Sequence, residues 1–116
     1  MKSPNIREDL LQWASIQGVV GARLMLANSG LQGNEPGIHE MFSAAAEVGI
    51  PINVMCSGNL SVFKELAKTN PNTQLVIDHL GLQQPFMPPA PKDPFSDINQ
   101  VIDVSQYDNV AIKISG

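Results

Sequence analysis

Apolar positions along the chain recur with two spacings, and the pattern alternates between helical and strand-like from one end to the other. Ile6, Leu10 and Trp13 stand at helical spacing behind Ser3 and Pro4, a capping residue and a proline suited to the first helical position, and Gly18 ends that pattern. "VVGARLML", Val19 to Leu26, is short, β-branched at its start and bounded by "ANSG", which predicts a strand. A second helix opens near Pro36, turns Ile38, Phe42, Ala45 and Val48 inward, and stops at Gly49. "PINVMC", Pro51 to Cys56, predicts the second strand. Asn59 suits the cap of a third helix carrying Leu60, Phe63, Leu66 and Ala67, and "NPNT" turns the chain into a third strand, "TQLVIDHLG", Thr73 to Gly81. The five prolines of "LQQPFMPPAPKDPF" predict a stiff, extended loop. Ser96 then caps a fourth helix through Ile98, Val101 and Ile102, and "NVAIKISG" forms the last strand.

Helices of this length between strands predict parallel βαβ units with right-handed crossovers. Two architectures have that order, a doubly wound open sheet and part of a (β/α)8 barrel. The last strand separates them. Val110, Ile112 and Ile114 share one face, while Ala111, Lys113 and Ser115 share the other. In the first strand Gly21, Arg23 and Met25 likewise form the less apolar face. A doubly wound sheet is covered by helices on both sides and favours apolar residues on both. One apolar and one mixed face fits a barrel wall, so the predicted fold is α/β, about half of a (β/α)8 barrel, with residues 1–116 forming a single partial domain of a longer barrel.

Composition narrows the function classes. A chain of 116 residues that is 43% hydrophobic and 16% charged, with a formal net charge of −4, has the balance of a globular protein. That charge argues against nucleic acid and against an anionic membrane as partners. The single cysteine, Cys56, excludes an internal disulfide and a cysteine-built zinc site. The start "MKSPNIREDLLQW" lacks the apolar core of a signal peptide, and no apolar run is long enough to span a bilayer, so the expected location is cytoplasmic.

Chemistry in a (β/α)8 barrel sits where strands end. His79 ends its strand, with Leu75 and Ile77 on its own face by alternation and Asp78 on the other. A ligand or general base belongs there, and so does a histidine bonded to a rim carbonyl; the spacing leaves both open. Asp78, pointing away, is expected to cap the following turn or to orient a neighbouring group. Lys113 and Ser115 share a face near the end of the last strand, and Arg23 lies within the first. Interior cations are costly unless they meet a carboxylate, either of the protein or of a substrate, so Arg23, Lys113 and Ser115 are the candidate substrate-binding residues. His39 lacks a second histidine four residues on and reads as part of a solvated face, "NLS" at Asn59 reads as ordinary sequence, and Cys56 reads as a small buried residue.

In this order and spacing, "GARLML", "GIPINVMCSGNL", "TQLVIDHLGL" and "NVAIKISG" resemble the amidohydrolase-2 family, most specifically through "DHLG" at Asp78 to Gly81 and "KISG" at Lys113 to Gly116. The resemblance implies a barrel-fold, metal-dependent hydrolase, of the lactonase and decarboxylase kind, acting on a small carboxylated substrate such as a lactone. It implies that His79 is the catalytic histidine and a ligand of a divalent metal, zinc among the candidates. Where many members have a middle-strand histidine this chain has Met55 or Cys56, which fits the metal-poor, lactonase-like branch; the family's His-x-His strand and final aspartate are not in this sequence. Water would attack a carbonyl polarised by His79 while Arg23 or Lys113 holds the carboxylate, with the proline-rich loop walling the site. This chain by itself is expected to be inactive. A non-catalytic domain that binds small anions, and a half-barrel that self-associates through its open edges, are the rival readings.

Overall fold

The computed structural model describes residues 3–83 and 89–115. Helix and strand alternate throughout: α1 (Ile6–Ala14), β1 (Ala22–Met25), α2 (Pro36–Val48), β2 (Ile52–Met55), α3 (Leu60–Thr69), β3 (Leu75–Ile77), α4 (Ile98–Val104) and β4 (Val110–Ile112). The four strands are parallel and stand in sequence order, with Arg23 opposite Asn53, Asn53 opposite Val76 and Val76 opposite Ala111. Because the order never reverses, right-handed crossovers keep the connecting helices on one face. This is an α/β sheet compatible with half of a (β/α)8 barrel, as the two-faced strands predicted.

The core lies on the helix side. Leu24, Leu26, Ile52, Val54, Cys56, Leu75 and Ile77 from the strands meet Ile38 and Phe42 of α2, Phe63 and Leu66 of α3, and Val101 and Val104 of α4 in one cluster. Phe42 and Phe63 have no exposed surface, and each such burial stabilises the fold by about 1.5–3 kcal/mol. The predicted inner faces of two helices need correction. Val48, in the last turn of α2, and Ile102, one position round α4 from Val101, are exposed; the buried pair on α4 is Val101 and Val104, at helical spacing.

Capping also departs from expectation. Asn59 occupies the cap position of α3 but makes no capping bond; its amide donates instead to the Leu26 carbonyl at 3.0 Å, tying the end of β1 to the loop after β2. Asp97, not Ser96, precedes α4, and Asn5 precedes α1. Gly49 ends α2 in the left-handed conformation at φ 71°, as predicted. Thr73 anchors the entry to β3 through a hydrogen bond from its buried hydroxyl to the Phe42 carbonyl at 3.0 Å.

Candidate functional site at the end of strand β3

The opposite face of the sheet carries Arg23 and Met25 on β1, Asn53 and Met55 on β2, Val76 on β3, and Ala111 and then Lys113 along β4. Arg23, Met25, Ala111 and Lys113 are exposed. Asp78 falls on this face by alternation from Val76, yet it is 1% exposed. Arg23 accounts for that. Its Nε lies 2.9 Å from Asp78 Oδ2, so its side chain reaches from β1 across β2 to the end of β3, and Lys113 Nζ approaches Oδ1 to 3.8 Å from the other flank. A buried carboxylate without a cation costs several kcal/mol, so these two side chains are what allow an aspartate here. Of the two roles expected of Asp78, the contacts favour orienting a neighbour over capping the turn: it joins the two cations singled out as candidate substrate holders.

Strand β3 stops at Ile77, and the next residues explain why. His79 (φ 53°, ψ 42°), Leu80 (φ 57°, ψ 14°) and Gly81 (φ 66°) are all left-handed. Glycine adopts that conformation freely, but each of the other two costs roughly 1–2 kcal/mol. The turn is held by hydrogen bonds from Leu80 N–H to the Lys113 carbonyl (3.1 Å), from Lys113 N–H to the Ile77 carbonyl (2.9 Å) and from Leu82 N–H to the His79 carbonyl (3.0 Å). Strict alternation would place His79 with Leu75 and Ile77, which face the helices. The left-handed turn breaks that alternation and brings His79 Nδ1 to 3.0 Å from Ser115 Oγ. With Nδ1 engaged, Nε2 is the nitrogen available to a substrate, as a donor if the hydroxyl donates to Nδ1 and as a base or ligand if it accepts. Ser115, singled out as a substrate-binding candidate, spends its hydroxyl on the histidine.

The structure thus brings together Arg23, Asp78 and Lys113 as one charged group, and His79 with Ser115 as a second, at adjacent strand ends. Cys56, at the end of β2, has no exposed surface, and burial pushes its thiol up to about 12, so it serves neither as nucleophile nor as thiolate ligand. His39 is exposed on α2, as read from the sequence. An open groove of about 530 Å³ runs beside β1, lined by Ile6, Leu10 and Trp13 of α1 and by Gly21, Ala22, Arg23 and Asn53. Of the proline-rich loop expected to wall the site, residues 84–88 lie outside the described residues.

The amidohydrolase family model, Amidohydro_2, matches residues 2–116. The chain belongs to this family. Searches of curated proteins and of solved structures give no match. Members of this barrel family generally use divalent metals, so the donor set has to be tested against one. Among the described residues no three His, Cys, Asp or Glu side chains form a group able to hold a metal ion. Asp78 is engaged by two cations, Cys56 is protonated and buried, and His79 is the remaining donor at the strand ends. These residues do not make a metal centre by themselves. Nor does any helix among those described have the length and apolarity to cross a membrane.

Proposed function

We propose that this amidohydrolase-family chain forms the part of a hydrolytic (β/α)8 barrel that binds a small carboxylated substrate, such as a lactone, and presents His79 to its carbonyl. The observation that carries this reading is the pair of side-chain groups at adjacent strand ends: a histidine fixed through Nδ1 beside two half-exposed cations gathered on one buried carboxylate. His79 Nε2 would donate to, and so polarise, the carbonyl oxygen as water adds to the carbon. Arg23 and Lys113 would hold the carboxylate, Arg23 through its planar fork and Lys113 as a point charge. A divalent metal such as zinc would need donors beyond His79, so no step here is routed through one.

The test is turnover. The full-length product of the gene is assayed with lactones that do and do not carry a carboxylate, beside the 116-residue chain and His79→Ala. Hydrolysis favouring the carboxylated compounds, reduced at least 100-fold by the substitution, is expected, from loss of one positioned proton donor (roughly 10²–10⁴-fold). The 116-residue chain alone is expected to be inactive. Undiminished hydrolysis by His79→Ala would sink the assignment.

A further inference from the structure

Asp78 has an unusual status for a carboxylate. It is 1% exposed, and neither of its oxygens accepts a hydrogen bond from the described residues, although Arg23 Nε stands 2.9 Å from one and Lys113 Nζ 3.8 Å from the other. Arg23 approaches it through Nε, the side of the guanidinium away from its two terminal nitrogens. The Arg23 and Lys113 side chains are 49% and 45% exposed, so both cations remain open to an anion from solution. The ion pair draws the Nε side of the guanidinium to Asp78 without a formed hydrogen bond, and the two terminal nitrogens are the pair that matches a planar oxyanion in bidentate fashion.

We infer that Asp78 is a positioning residue: by holding Arg23 across β2 it aims the guanidinium fork, with Lys113 beside it, at a single carboxylate of the substrate. This rests on the reading of Arg23 and Lys113 as carboxylate holders and adds the group that orients them. Two cations against one carboxylate leave a single net positive charge, which suits one bound carboxylate better than two. A salt bridge present only to neutralise Asp78 accounts for the burial of the aspartate equally well. It makes the opposite prediction for anion binding when the aspartate is removed.

Benzoate serves as the probe, titrated into the ¹⁵N-labelled full-length protein and followed at the backbone amides of Asn53, Ala111 and Lys113. Wild type is expected to show saturable shifts. Asp78→Ala raises the local charge by one and, if charge alone governs binding, tightens benzoate; if Asp78 aims Arg23, the affinity falls despite the added charge, by roughly tenfold or more, the worth of a lost bidentate charge-assisted contact. Arg23→Lys keeps the charge and a partner for Asp78 but removes the fork, so it provides a variant that leaves the buried pair intact; its affinity is expected to fall by a similar factor. Absence of saturable binding in wild type, tighter binding in Asp78→Ala, or wild-type affinity in Arg23→Lys would each overturn the inference. Failure of the hydrolase reading looks different: benzoate then binds as described while the full-length protein shows no turnover. Conversely, full-length Asp78→Ala hydrolysing carboxylated lactones with an unchanged KM refutes the inference and leaves the hydrolase reading standing.

Discussion

Replacing Gly81 by alanine tests whether the turn after β3 is built the way its geometry indicates. At φ +66° any side chain is strained, by roughly 1 kcal/mol for alanine. Space is the second cost. A Cβ on Gly81 would stand 2.7 Å from Val101 Cγ2, 3.5 Å from Ile77 Cγ2 and 3.6 Å from Leu60 Cδ2. Val101 is 2% exposed on α4, and a β-branched side chain in a helix has one strongly preferred rotamer, so it cannot swing aside and α4 itself must move. Overpacking of that kind costs about 1–3 kcal/mol, which brings the total to roughly 2–4 kcal/mol out of the 5–15 kcal/mol typical of a domain. Gly49 supplies the internal control: it has φ +71° and nothing within 4 Å of a built Cβ, so Gly49→Ala should lose only the conformational part, about 1 kcal/mol. Urea unfolding of the two variants and the parent at 25 °C reads the difference, and Gly81→Ala should shift the midpoint by two to four times as much as Gly49→Ala. Equal shifts would refute the close packing of this turn against α4. The turn would then tolerate a side chain, and the position of His79 would owe nothing to it.

Two further outcomes follow from individual groups. The Cys56 thiol, fully buried and pushed up to about 12, should resist a thiol reagent at pH 8 in the native protein and react at once in urea; stoichiometric labelling of the folded chain would contradict its place in the core. Glu35 is partly exposed, and the backbone N–H groups of Gln32 and then Gly33, each 2.9 Å from a carboxylate oxygen, hold its carboxyl below the ordinary value of 4.5. A depressed folded-state value contributes stability above 4.5 that is lost as pH falls through the folded value. Glu35→Gln should therefore lower the urea midpoint at pH 7, with the gap to the parent narrowing as pH falls below 4.5, and a gap that does not change with pH would count against the loop bonds.

The helices and strands were legible because their signals are local: apolar spacing, Pro36 opening α2 and Gly49 closing it need no knowledge of distant residues. The two-faced character of β4 was legible too, and the parity that set Lys113 apart from Val110 and Ile112 is the one the structure shows. For Asp78 the sequence left two roles open, capping the turn or orienting a neighbour, because the meaning of its side depends on register. Only once Ile77 is known to lie opposite both Val54 and Ile112 does Asp78 fall beside Lys113 and within reach of Arg23, a residue 55 positions earlier in the sequence. His79 was misplaced for a different reason, since alternation was carried through a residue that is no longer in the strand. Gly81 held the available signal: a glycine three residues beyond Asp78 is where a left-handed turn would end, and that turn swings His79 off the helix-packed face toward Ser115. Two strained non-glycine residues cost the fold roughly 1–2 kcal/mol each, and a simple loop out of β3 would have avoided the expense. Strain of this sort persists where a side chain must be aimed, so the left-handed backbone at His79 is itself support for placing the chemistry there and not at the cysteine that ends the neighbouring strand.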